Sequence, residues 1–182
     1  MFLTQLFNGL ALGMVYALVA IGYSLVFGIL EMINFAHGAT YAFGAILTWF
    51  LVTSLGWNVI AASAASILCT GALGILLERF GLRPLRKQGS DTVTALITTI
   101  GLSYIIENCL TIAFGSQAQR FALNLDFTEF HVAGVAIGSS KLIITGISLL
   151  LLLILYLLLE KTRTGLAMRT VGESSSAAAI CG

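Results

Sequence analysis

Ile33-Asn34-Phe35-Ala36-His37-Gly38, with Glu31 just before it, is the first polar interruption in a chain that opens on two long apolar runs, residues 6–30 and 39–55. Glu31, Asn34 and His37 follow one another at intervals of three, and on a helix side chains so spaced share a face. Polar groups beside lipid-length apolar segments are costly, and they turn toward protein or a water-filled route. The stretch therefore reads as a polar notch in a translocation pathway, with Glu31, Asn34 and His37 lining it. An alternative stays open: Asn34 and His37 only hydrogen-bond an irregular turn and hold two helices together.

Outward from the notch, composition settles the class. Of the 182 residues, 58% are hydrophobic and 9% charged, with a single proline, and the mean hydropathy is +1.00. A water-soluble domain carries roughly 25% charged residues, so this chain cannot clothe a wet surface. The reading is an all-α integral membrane protein, a polytopic helical bundle. The net charge of +1 offers no basic face for nucleic acid. Cys69, Cys109 and Cys181 are odd in number and unpaired in spacing, which argues against a disulfide framework or a zinc site and for small apolar fillers in a packed bundle. No cofactor or metal is expected.

Crossing a bilayer takes about 20 apolar residues. Five segments approach that length: residues 6–30, 39–55, 59–77, 93–114 and 142–159. The second is the shortest, and the 34–38 element is expected to extend it. The first carries a stripe of small residues at helical spacing, Gly9, Gly13 and Ala17, then Ala20, Ser24 and Gly28. Such stripes let membrane helices approach closely, which predicts a central position for this span. The amino terminus has neither a basic n-region nor a small-residue cleavage site, so no cleaved signal peptide is expected.

Charge distribution orients the spans. The third span is expected to end abruptly at Glu78-Arg79, followed by a loop holding Arg83, Pro84, Arg86, Lys87 and Asp91. That basic loop, and the one carrying Lys161, Arg163 and Arg169, fall in the cytoplasm by the positive-inside rule. Two spans separate them, so the assignments agree. Trp49 and Trp57 then mark the outer interface, and residues 115–141 form an outer segment in which 127–132 alternates like a short strand.

The fourth span has a polar line of its own, Thr99, Ser103, Glu107 and Thr111, each four apart. A mid-helix carboxylate costs about 2.5–3.5 kcal/mol on insertion scales, so Glu107 must face protein or water. It either lines the pathway or makes a structural bond to another helix. Beyond the fifth span, Ser174-Ser175-Ser176 can cap a short helix through Ala177–Ala179.

Together these features carry a family resemblance. The run from Asn8-Gly9 through Gly22-Tyr23-Ser24-Leu25-Val26-Phe27-Gly28, the Asn34-Phe35-Ala36-His37-Gly38 run, Glu78-Arg79 with Arg83-Pro84-Leu85-Arg86, and the tail with Arg163, Gly165 and Arg169 resemble the branched-chain amino-acid ABC-transporter permeases over nearly the whole chain. The resemblance implies one permease domain over residues 1–182, incomplete relative to the family, whose members continue into further spans. It implies a cytoplasmic coupling loop at 160–182 using Arg163, Gly165, Arg169, Glu173, Ala178 and Gly182. Three Ser residues follow Glu173 where larger or charged residues are usual, which bears on coupling strength.

The same resemblance implies a multi-pass bacterial inner-membrane protein that works with a second permease subunit, ATP-binding cassette subunits and a periplasmic or lipid-anchored binding protein. ATP hydrolysis would belong to the partner subunits, since no Gly-x-x-x-x-Gly-Lys-Ser/Thr loop is present here. Two rivals from other classes are half of a proton- or sodium-coupled secondary transporter using Glu107 or His37, and an intramembrane enzyme using His37 with Ser24 or Glu31.

Overall fold

Large aliphatic side chains in runs of this length leave the backbone few options but the helix, which satisfies its own hydrogen bonds in lipid. The computed structural model describes residues 2–30, 33–87, 92–119, 130–132, 135–137 and 139–173. Glu31, Ser174–Ser176, Ala178, Cys181 and Gly182 lie outside the described residues, as does most of the outer segment.

The helices are α1 (Phe2–Leu30), α2 (Ala36–Thr53), α3 (Val59–Leu76), α4 (Arg83–Lys87), α5 (Thr92–Phe114), α6 (Ser139–Lys161) and α7 (Arg163–Glu173). A small antiparallel hairpin, β1 (Phe130–Val132) with β2 (Val135–Ile137), pairs Phe130 with Ile137 and Val132 with Val135. The chain forms two compact units: α1, the hairpin, α6 and α7 make one, and α2 to α5 make the other.

Four stretches are long and apolar enough to span a bilayer: Gln5–Gly28, Val59–Leu85, Val93–Phe114 and Leu142–Lys161. These match four of the five expected spans. The remaining one, α2, is helical over 18 residues, but His37, Gly38, Thr40 and Tyr41 dilute its opening turns, and it is absent from this set. The protein is a polytopic membrane protein, a helical bundle carrying one short hairpin.

The expected abrupt stop at Glu78-Arg79 does not occur. Helix α3 runs on through a π-helical turn, Leu77–Leu82, directly into α4. Pro84 is the cause. It has no N–H to give, and its ring would strike the carbonyl four residues back in a regular helix. The wider π turn relieves that clash, with Arg83 N–H bonding to Glu78 O five residues back. The basic residues expected on a loop therefore lie on a helical rod. Gly81 lets this turn pack on α5, since a Cβ there would meet Leu102 Cδ1 at 2.6 Å.

Packing is inverted relative to a soluble protein. The buried residues include Ala11, Ala36, Ala39, Ala62, Ala95, Ser66, Thr99 and Ser148. Large apolar residues point outward instead, with Ile112 85%, Ile60 79% and Leu68 75% exposed. Small residues allow close backbone approach, and lipid accepts the large ones without penalty. Cys69 and Cys109 follow the outward pattern; they are not interior fillers. Around Ala39, Ile106 and Leu110, the partly buried Phe43, Ile46 and Phe114 complete a seam between α2 and α5. Phe114 also meets Phe50 edge-on at 5.3 Å.

The expected small-residue stripe of α1 is open along most of its length and meets a neighbour at its Gly28 end, where the carbonyl faces Gly172 of α7. A Cβ built on Gly9, Gly13 or Gly28 finds nothing within 4 Å, and Ser24 is exposed.

Helix ends follow local chemistry. Gly56 and Gly115 adopt φ of +67° and +82°, the left-handed conformation that closes a helix and that only glycine reaches without strain. Asn58 caps α3 by accepting from Ile60 N–H at 3.0 Å.

Candidate functional site

The notch is a break between helices rather than part of one. Asn34 lies in the link before α2. Its Oδ1 accepts from Ala36 N–H at 3.0 Å, while its carbonyl accepts from His37 N–H at 3.3 Å. Asn is suited to this because its short amide can mimic a backbone turn. The expected shared helical face of Asn34 and His37 is thus not formed: Asn34 shapes the turn, and half-buried His37 occupies the first turn of α2. Thr40 Oγ1 donates to His37 O at 2.7 Å and tightens that turn further.

A residue on α5 holds the break in place. Thr99 is wholly buried. Its Oγ1 accepts from Phe35 N–H at 3.2 Å and lies 3.3 Å from Ile33 O and 2.9 Å from Leu96 O. A helix start leaves N–H groups without partners, and within a bundle such groups must find one. Thr99 supplies it across 64 residues of sequence. The polar line on α5 was visible in the sequence, but its role as an anchor for the notch was not, because the bond joins residues 64 apart in the chain.

Further along α5, a groove of about 310 Å³ is lined by Phe35, Ile100, Ser103, Tyr104 and Glu107. Ser103 Oγ donates to Glu107 Oε1 at 2.9 Å, and Thr111 Oγ1 donates to Glu107 O at 2.8 Å. Glu107 is exposed, and its bond to Ser103 lies within α5 rather than across to another helix. Phe35 therefore links the two features: its amide is pinned by Thr99 and its side chain walls the groove that holds the carboxylate. Neither Asn34 nor His37 lines this groove.

In the other unit, α7 is seated firmly against α6. Thr162 caps α7, accepting from Gly165 N–H at 3.1 Å and donating to Leu158 O. Gly165 is buried, and any Cβ there would be driven into the carbonyl oxygens of Leu158 and Leu159. Arg169 Nη1 pairs with Glu160 Oε1 at 3.2 Å. At the far end, a Cβ on Gly172 would meet Gly28 O of α1 at 3.0 Å. Of the expected coupling residues, Arg163, Gly165, Arg169 and Glu173 all fall on this one helix.

The comparisons agree with this architecture. The family model "Branched-chain amino acid transport system / permease component" matches residues 5–182. The chain is 36% identical to the high-affinity branched-chain amino acid transport system permease protein BraD of Pseudomonas aeruginosa, over 94% of this chain and 59% of that one. It is 34% identical to the corresponding LivH protein of Escherichia coli K12, over 100% of this chain and 62% of that one. A probable LivH of Methanocaldococcus jannaschii is 30% identical over 91% of this chain. The chain thus spans about three fifths of the length of the first two relatives. No solved structure matches it. A family match over almost every residue, on a bundle of lipid-facing helices, means that the chain belongs to the branched-chain amino acid transport system permease family.

Proposed function

We propose that this chain is a membrane-spanning permease subunit of an ATP-driven importer of branched-chain or related amino acids, in a bacterial inner membrane. It forms the translocation route with a second permease, receives substrate from a binding protein, and draws energy from ATP-binding subunits. The match across residues 5–182 carries this reading.

The geometry adds support at two places. The groove holding Glu107 and Ser103 is a partly polar recess on an otherwise apolar helix, as a wall of such a route requires. We assign Glu107 to that wall, with Asn34 and His37 shaping the turn that positions Phe35 beside it, and we assign Glu31 to the same pathway on its chemistry alone. Helix α7 is the contact for the ATP-binding subunit. Seated on α6 through Gly165 and Arg169, it can transmit a push to the spans as a rigid part. The 160–182 segment, including Ala178 and Gly182, is the coupling loop. The exposed small residues Gly9, Gly13 and Ser24, with Ala17 and Gly28, suit the approach of another helix of the assembled permease.

The test is reconstitution of the full transporter in liposomes with external leucine. Uptake should require ATP and the ATP-binding subunit, and Glu107→Gln should lower it without changing membrane insertion. Arg169→Ala should weaken copurification of the ATP-binding subunit. Leucine uptake driven by a proton gradient with no ATPase present would overturn the proposal.

A further inference from the structure

The rod formed by α3, the π turn and α4 ends in a fork of cations. Arg79, Arg83 and Lys87 recur every four residues along it, are all exposed, and together with Pro84 line one groove of about 430 Å³. Glu78 does not line it, and among the described residues no carboxylate pairs with any of the three. Directly before and between these cations the rod exposes apolar side chains, Ile75 at 66%, Leu76 at 51% and Phe80 at 73%.

Length places this fork in the membrane. Helix α3 begins at Val59, just after Trp57, a residue type that favours the membrane–water boundary. With a rise of 1.5 Å per residue, a hydrocarbon core of about 30 Å is crossed in about 20 residues. That count arrives at Arg79. Arg83 and Lys87 lie one and two turns beyond it, across the headgroup layer. A water-soluble partner could answer the charges but would leave Phe80, Leu76 and Ile75 without a use. A molecule with an anionic head and apolar tails answers both.

We propose that this groove is a binding site for one anionic phospholipid, its phosphate held by Arg79, Arg83 and Lys87 and its acyl chains laid along Ile75, Leu76 and Phe80. The π turn is part of the device. It carries the helix past Pro84 unbroken, so that the three cations stay on one continuous face and reach a single headgroup. Arginine suits phosphate through its planar fork, and lysine adds a point charge. The site does not rest on the transport reading.

The experiment is native mass spectrometry of the full chain in detergent, titrated separately with phosphatidylglycerol and phosphatidylcholine. Phosphatidylglycerol should bind more tightly than phosphatidylcholine. Each of Arg79→Gln, Arg83→Gln and Lys87→Gln should weaken it about fivefold, as expected for one surface cation facing an anionic lipid, and leave phosphatidylcholine unchanged. Lys87→Gln, at the exposed end of the rod, tests the site even if the arginine variants misfold. Lys161→Gln removes the same charge elsewhere and should change nothing. Equal binding of the two lipids, an equal loss in Lys161→Gln, or full displacement by inorganic phosphate would overturn the lipid site; the last would make it a free-phosphate pocket.

Discussion

Two breaks in the helical run, the link at 33–35 and the turn at Thr162, meet the same need by different means. Each interrupts an apolar chain and leaves backbone groups short of partners. At the first, a wholly buried side chain from a distant helix reaches in, Thr99 to Phe35 N–H and toward Ile33 O. At the second, everything is local: Thr162 caps its own helix, Gly165 lets backbone meet backbone, and an exposed ion pair adds a tie. The contrast teaches where rigidity is stored. The notch leans on a buried hydroxyl brought from a distant helix, in addition to its own Asn34, whereas α7 depends on the absence of a side chain.

Substitutions can break or sharpen that contrast. Gly165→Leu has the largest expected effect, because the added side chain collides with carbonyl oxygens that cannot turn aside. Overpacking of this kind costs about 3 kcal/mol. Thermal unfolding in detergent should shift down, and the α6–α7 turn should become protease-sensitive; resistance equal to the parent would mean α7 is not seated there. Thr99→Val keeps the shape but orphans Phe35 N–H, for about 2 kcal/mol. Thr99→Ser should restore most of it, and a valine variant as stable as the parent would remove the anchor from the account.

Smaller effects follow at the edges of each break. Asn34→Ala removes the acceptor for Ala36 N–H and should cost about 1 kcal/mol, as capping side chains do; hydrogen exchange at Ala36 and His37 should quicken. Arg169→Ala should change stability by only about 0.5 kcal/mol, because its pair with Glu160 is nearly half exposed on both sides and screened by solvent. That small change should vanish in about 1 M salt. A large loss from Arg169→Ala would mean the second break relies on charge after all.

How much of this was readable in advance depends on the range of the cause. The spans were legible because apolar runs of bilayer length have no other stable form in lipid, and α1, α5 and α6 fall where the hydropathy puts them. The strand at Phe130–Val132 was legible from its alternation. Glu78-Arg79 misled, since a charged pair after an apolar run reads as the end of a span, and the π turn that carries the helix on past Pro84 leaves no mark in composition. Asn34 misled as well: an interval of three fits a helical face and a capped turn equally, and only the backbone path distinguishes them. On the tail, the expected coupling residues Arg163, Gly165, Arg169 and Glu173 were collected on one helix, but its cap is Thr162.

By itself the amino-acid sequence determined that this protein lives in a membrane, roughly where its helices run, and which family it resembles, because hydropathy and local motifs act within a few residues. Only the tertiary structure decided that Thr99 holds the notch, that Glu107 shares a groove with Phe35, and that Arg79, Arg83 and Lys87 face one recess. Those facts depend on which helix surfaces meet and on how the backbone bends at Asn34 and Pro84. Lipid removes the hydrophobic signal that would otherwise reveal an interior, so small-residue fit and single hydrogen bonds make the choice.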